Sequence, residues 1–231
     1  MSALLAPAAS AAERATWPPP PSPPQIHSIQ APPGSPEAPG ARRGPNSIAP
    51  KIIDPKDVDP KSMPIPDKPS ERQKLLENLY AYLATAASKD EAEPIAATIE
   101  RLWLLRGTDT SFYLMERARV ALQQNDTASA VVFLDQVVDL APDYAEGWLR
   151  RAYLHILAGD KERALGDLRR CLALEPSHFQ ALRATGMIFL DNGQNAAALK
   201  AFEKLLEIHP QDTDTSKIVD DLRLKVEGQK T

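Results

Sequence analysis

Large and small apolar residues recur with one fixed period between residues 111 and 210. Pro142, Pro176 and Pro210 lie 34 residues apart, and each closes a segment of the same plan. In each half of a segment a large and a small apolar residue stand four positions apart. The first halves carry Leu114, Trp148 and Leu182 followed by Ala118, Ala152 and Gly186, and the second halves carry Ala130, Ala164 and Ala198 followed by Leu134, Leu168 and Phe202. This spacing places each pair on one face of a helix.

The pattern predicts two antiparallel helices in each segment, with small residues where the helices cross at close range. Turn residues separate the two halves, as in Gly159-Asp160 and Asn192-Gly193. Each proline breaks the chain between segments because it lacks an N–H and disfavours helix in the residue before it. The predicted helices run near 111–124, 127–140, 145–158, 161–174, 179–192 and 195–208.

The three segments resemble the tetratricopeptide repeat, which has a period of 34 and the pattern W-x2-L-G-x2-Y, then A-x3-F, then P. The small, large and proline positions agree in all three segments, taken as 111–144, 145–178 and 179–212. Two positions depart from the family: its leucine is replaced by Arg117, Arg151 and Thr185, and its tyrosine by Ala121 and His155. The resemblance implies an all-α, right-handed α-solenoid over 109–210.

The flanking segments also predict helices. Residues 70–108 form a degenerate leading hairpin, with a capping box at Ser70 and Gln73, and the 34-residue frame places Ala84 and Ala96 on small positions. We expect this hairpin to cap the front of the stack. Residues 213–227 form an amphipathic helix that covers the other end, because a solenoid must end in a polar outer surface.

The N-terminal part of the chain has a different composition. Of 22 prolines, 18 fall in residues 1–69, and residues 17–69 are predicted to be a disordered, proline-rich linker. Residues 1–16 contain Ala9-Ser10-Ala11, an A-x-A site, but lack the positive start and apolar core of a full secretory signal. They are interpreted either as the remnant of a truncated signal peptide or as an alanine-rich tail. The first interpretation predicts a periplasmic or secreted protein and the second a cytoplasmic one.

Composition and motifs exclude several classes of function. The formal net charge of −4 is small and has the wrong sign for binding nucleic acid. The sequence contains no run of about 18 apolar residues, so it predicts no membrane span. The four histidines share no ligand spacing, and Cys171 and His155 stand at packing positions. We therefore expect no catalytic site, no cofactor and no metal.

In the tetratricopeptide repeat family the first helix of each repeat lines a concave groove. The ligand-contacting positions that the resemblance implies are Met115, Arg119, Glu146, Leu149, Tyr153, Gln180, Arg183 and Met187. Arginine and aromatic side chains suit peptide recognition, and methionine adapts to irregular shapes.

Two functions remain open. One is a non-enzymatic adaptor, similar to bacterial envelope tetratricopeptide proteins, that binds a peptide or helical segment of a partner in the groove. The alternative is a structural or assembly subunit that associates through helix edges or the convex face. The sequence leaves the partner's identity and the oligomeric state open.

Overall fold

A computed structural model describes residues 65–228, and the predictions for residues 1–16 and for the proline-rich segment up to residue 64 lie outside this range. The described part of the chain is all-α. Its helices are α1 Pro69–Thr85, α2 Lys89–Leu104, α3 Asp109–Gln123, α4 Thr127–Leu140, α5 Ala145–Leu157, α6 Lys161–Leu174, α7 Phe179–Asp191, α8 Asn195–Ile208 and α9 Thr213–Gly228. None of these helices is long and apolar enough to cross a membrane.

Helices α3 to α8 form three stacked antiparallel pairs, which confirms the predicted solenoid. The small residues at each crossing are buried against the partner helix, and Ala118, Ala130, Ala152, Ala164 and Ala198 are fully inaccessible. A Cβ added at Gly186 would lie 2.6 Å from the Phe202 ring, so the third crossing admits only glycine without a shift. The large residues Leu134, Leu168 and Phe202 lie beside the crossings and are fully buried.

The turn inside each repeat uses the same backbone solution. Asn125, Gly159 and Gly193, again 34 residues apart, all adopt positive φ angles of 59°, 77° and 70°. Glycine and asparagine tolerate this left-handed conformation at low cost. The side chains of Asp126 and Asp160 then cap α4 and α6 by accepting from the backbone N–H three residues later.

The leading hairpin forms, but its beginning and its position differ from the prediction. Helix α1 starts at Pro69, and the N-cap is Lys68, which makes no side-chain cap, so the capping box predicted at Ser70 is wrong. Proline suits the first helical turn because its φ is already helical and its missing N–H is not needed there. The Ser88 side chain caps α2 by accepting from the Glu91 backbone N–H.

Helices α1 and α2 do not take the place of a repeat in front of α3. They pack along the edge formed by the three inter-repeat turns, and their core is continuous with Phe179, Leu182 and Leu205 of the third repeat. The Tyr144 hydroxyl donates to the Leu104 carbonyl at 3.0 Å, and the Gln211 amide donates to the Ala86 carbonyl at 2.9 Å. The prediction that this hairpin caps the front of the stack is therefore wrong.

Candidate functional site: the concave groove

Three rows of side chains run across the first helices of the repeats. Within a row, successive residues are 34 positions apart in sequence, and α9 continues each row as the first helix of a fourth unit. The rows are Phe112, Glu146, Gln180 and Asp214; Met115, Leu149, Arg183 and Lys217; and Arg119, Tyr153, Met187 and Asp221. The eight predicted groove residues all belong to these rows.

Four of the predicted residues are unavailable to a ligand in this conformation. Met115 and Leu149 are buried in the cores of their repeats, with 7% and 0% of their surface exposed. Glu146 is 2% exposed. The Gln180 amide donates to Glu100 of α2 at 2.6 Å, so α2 covers this end of the groove.

A buried polar network explains why Glu146 is held inside. Its carboxylate accepts from Arg150 at 3.1 Å and lies 3.2 Å from Nε2 of His178. Burial opposes its ionisation, but Arg150 and His178 together hold the pKa of Glu146 below its usual value. Trp103 of α2 stacks on the His178 ring with centroids 3.8 Å apart. The network therefore ties the second and third repeats to the leading hairpin.

Glu100 lies 34 residues before Leu134, so it occupies a position at which the repeats carry a large apolar residue. It faces the groove instead of the hairpin core and accepts the hydrogen bond from Gln180. Burial raises the pKa of Glu100, an effect that the Gln180 amide partly offsets and the nearby Glu146 carboxylate strengthens. A carboxylate at this position thus fits the polar floor of the covered end.

The open part of the groove is a cleft of about 610 Å³ between α5, α7 and α9. Its apolar surface comes from side chains on all three helices. The lining residues are Tyr153, Ile156, Lys161, Arg183, Ala184, Met187, Ile188, Asp191, Asp214, Thr215, Lys217 and Ile218. Burial raises the pKa of Tyr153 to about 12, so its phenol stays neutral at physiological pH.

Charged residues at the rim of the cleft are mostly engaged with one another. Arg183 pairs with Asp212, a buried carboxylate that also caps α9 by accepting from the Thr215 N–H at 3.1 Å. Lys161 lies 3.6 Å from Asp191. Arg183 is therefore both a groove residue and a support for the start of α9.

The structure brings Tyr153, Arg183 and Met187 together and separates Arg119 from them. Arg119 lies on α3 and binds Glu116 of the same helix at 2.8 Å. The sequence prediction missed Asp214, Lys217 and Ile218 because it treated α9 as a cover. Extending the 34-residue spacing by one more unit would have placed α9 in the groove.

Comparison with known proteins settles the family. The profile described as tetratricopeptide repeat matches residues 115–171 and 158–213. The TPR repeat-containing protein RHE_CH03534.1 of Rhizobium etli is 34% identical over 162 residues, which cover 70% of this chain and 79% of that protein. The chain belongs to the tetratricopeptide repeat family.

Other proteins match over shorter stretches. The bovine protein SGT1 homolog is 32% identical over 94 residues, covering 41% of this chain and 28% of its own length. Among solved structures, the Sgt2 TPR domain from Aspergillus fumigatus superposes with a TM-score of 0.48 at 20% identity, covering 54% of this chain and 83% of that one. The MamA protein gives 0.46 at 17% identity, covering 66% and 81%.

Two departures from the tetratricopeptide pattern, Arg151 and His155 in the second repeat, have a structural explanation. Arg151, at the family's leucine position, donates to Asp167 at 2.8 and 2.9 Å and to Asp135 at 2.9 Å, so it joins α4, α5 and α6. His155 lies beside the same Asp167, with Nε2 3.6 Å from its carboxylate. An ion-paired network thus replaces apolar packing between the first two repeats.

The single cysteine of the chain lies in the core of the second repeat. Cys171 is fully buried, and burial raises the pKa of its thiol well above the usual range. A thiol in this state is a poor nucleophile. Within residues 65–228 no group of three or more His, Cys, Asp and Glu residues is arranged to hold a metal ion.

Proposed function

We propose that this tetratricopeptide repeat protein is a non-enzymatic adaptor that holds a segment of a partner protein in the cleft between α5, α7 and α9. Tetratricopeptide solenoids use their concave surfaces for protein–protein interaction. The observation that carries the proposal is the cleft itself, which remains open although α2 covers the neighbouring end of the groove.

The lining favours a segment with an apolar side chain as its anchor. Tyr153, Met187 and Ile218 come from three different helices, so an inserted side chain would contact all three. Each of them is only partly buried in the free protein and gains burial when the cleft is filled. Apolar and aromatic anchors in a pocket with a polar rim are the usual source of binding energy at protein interfaces.

The proposal is tested with paired substitutions on α9. Ile218→Glu places a charge in the cleft, whereas Leu224→Glu places the same charge on an exposed position of the same helix, where 73% of the side chain is accessible. A photo-crosslinking residue at position 187 is used to capture the partner from native cells. We expect Ile218→Glu to lower capture about tenfold or more and Leu224→Glu to leave it unchanged.

The thermal midpoint of each variant separates lost binding from lost folding. Arg183→Glu is unsuitable as a test, because it would leave the buried Asp212 carboxylate without its cation. Capture that is equal for wild type and Ile218→Glu, with both proteins folded, would remove the cleft from consideration.

We further propose that the protein works in the bacterial cell envelope, as a periplasmic or secreted protein. Support comes from Ala9-Ser10-Ala11 and from the proline-rich segment that follows it, which would act as a tether. Fractionation of native cells, with the N-terminus determined by mass spectrometry, tests this. A full-length chain confined to the cytoplasm would contradict it.

A further inference from the structure

The outer face of α3 is exposed at positions that the later repeats bury. Leu154 of α5 and Ile188 of α7 occupy the same place in their repeats and are 1% and 2% exposed. Their counterpart on α3 is Val120, which is partly exposed. Tyr113, whose counterparts are the buried Gly147 and Ala181, has 62% of its surface exposed.

This exposure follows from the position of the leading hairpin. In the later repeats the equivalent face packs on the pair before it, as shown by a Cβ at Gly147 that would lie 2.7 Å from Val137. Helices α1 and α2 lie instead along the inter-repeat turns. The corresponding faces of α5 and α7 are buried by the pair before them. Within residues 65–228, no element buries this face of α3 to the same extent.

The exposed stripe of α3 has an unusual symmetry. Tyr113, Glu116, Arg117 and Val120 follow one another at helical spacing on this face. The stripe has an apolar residue at each end and two opposite charges in the middle. Reversing its direction therefore keeps the apolar ends and exchanges the two charges. If a second α3 lay antiparallel across a two-fold axis between Glu116 and Arg117, Tyr113 would face Val120 of the other copy. Glu116 of each copy would then face Arg117 of the other copy, which gives two ion pairs across the axis.

The two central charges also have partners within their own chain. The Arg117 guanidinium lies 5.4 Å above the centre of the Phe133 ring, which restricts its motion. The Arg119 guanidinium holds the pKa of the Glu116 carboxyl below its usual value, so Glu116 is ionised at neutral pH. An interface in which the same patch meets itself is the kind that a two-fold dimer requires.

We propose that a second copy of this chain covers the outer face of α3 through a two-fold, antiparallel α3–α3 contact. The stripe complements itself in charge, whereas an unrelated partner has no need for that order. A helix of 15 residues is about 22 Å long. An interface built mainly on it lies at the small end of specific interfaces, so the dimer is reversible and depends on concentration.

Sedimentation or light scattering of the full chain, over two decades of concentration, tests the proposal. The mass should rise from the 25.3 kDa of one chain towards twice that value. Tyr113→Glu should shift the dissociation constant at least about tenfold towards the monomer. Val132→Glu is the matched control, because Val132 is 54% exposed on α4 but lies outside the stripe. It should leave association unchanged.

Charge reversal identifies the geometry. Glu116→Arg alone and Arg117→Glu alone should each weaken the dimer, because like charges then meet across the axis. The double substitution should restore it, since the opposite charges face each other again. A chain that stays monomeric throughout, or a dimer that Tyr113→Glu leaves intact, overturns the proposal. Ile218→Glu should not alter the dimer, so failure here is distinguishable from failure of the proposed cleft.

Discussion

The three repeats and the leading hairpin are built from the same kind of helix pair but are used differently. Both have amphipathic helices with apolar stripes at helical spacing. At the first-helix crossing the repeats bury Ala118 and Ala152 completely, whereas Ala84, at the equivalent place in the hairpin, is exposed. The hairpin instead buries Trp103 against His178 and Phe179 of the third repeat.

The difference shows that an apolar stripe predicts a helix but not its neighbour. Stacking needs small residues on the faces that cross, because only these let the helices approach. The hairpin has alanines at these positions, but Ala84 is exposed, and the carboxylate of Glu100, where the repeats carry a large apolar residue, finds its partner on the groove side. The pair packs on the turn edge, and this leaves the front of α3 open while covering part of the groove.

The largest expected effects come from removing the principal side chain of each region. Phe202→Ala in the stack and Trp103→Ala in the hairpin should each cost about 3–5 kcal/mol of unfolding free energy, because both rings are buried and leave a cavity. Hydrogen exchange distinguishes them. Trp103→Ala should loosen α1 and α2 while α3 and α4 keep their protection. Equal loosening of all helices would mean that the hairpin is not a separate structural unit.

A matched pair of substitutions tests the comparison at one position of the repeat frame. Ala152→Leu should overpack a helix crossing and cost about 1–3 kcal/mol. Ala84→Leu should change stability by less than about 0.5 kcal/mol, because Ala84 is on the surface. Denaturant unfolding of both variants measures the difference. A similar loss of stability at both positions would mean that the hairpin stacks as a leading repeat.

A smaller effect concerns His209, at the last inter-repeat turn. Burial lowers the pKa of His209, and Arg183 lowers it further, while Glu93 of α2 opposes them. The folded protein therefore binds a proton there less readily than the unfolded chain, and stability is lost as the pH falls below about 6.5. His209→Leu should remove this loss, so its stability relative to wild type should rise from about pH 7.5 to about pH 5. A constant difference would contradict the assignment.

The smallest effect concerns Glu100, in the last part of α2. Its dependence on pH has the opposite sign to that of His209. Because burial raises the pKa of Glu100, its charge costs stability at neutral pH, and the cost disappears as the pH falls through that raised value. Glu100→Gln should therefore stabilise the protein at neutral pH, and the gain should shrink towards about pH 4.5. Urea unfolding over this range measures it. A gain that grows in acid would contradict the account.

Much of the solenoid was predictable because its information is local. The 34-residue spacing located six helices to within about two residues, since alanine, bulky and proline positions recur in phase. The position of the hairpin was not predictable in this way. It depends on contacts such as Trp103 with His178 and Arg106 with Glu175, which join residues about 70 apart and follow no period.

The sequence predicted which residues share the groove face, but not which of their side chains are accessible. Family resemblance assigned Tyr153, Arg183 and Met187 to the groove, and all three line the cleft between α5, α7 and α9. It could not foresee that Leu149 packs into the core of its own repeat or that Glu146 is buried where Trp103 of α2 stacks on His178, because neither burial follows from the spacing. Asp214 and Lys217 were within reach of the same periodicity.

The position of the hairpin is tested most directly by a crosslink between its turn and the last inter-repeat turn. Ala87→Cys and Gln211→Cys place reactive thiols beside the hydrogen bond from Gln211 to Ala86, while the native Cys171 is buried. A short bis-maleimide should join the two introduced cysteines within one chain in high yield. A hairpin stacked in front of the first repeat would hold them roughly 30 Å apart, at about 10 Å per packed layer. Efficient labelling of each cysteine without a crosslink would contradict the structure described for this protein.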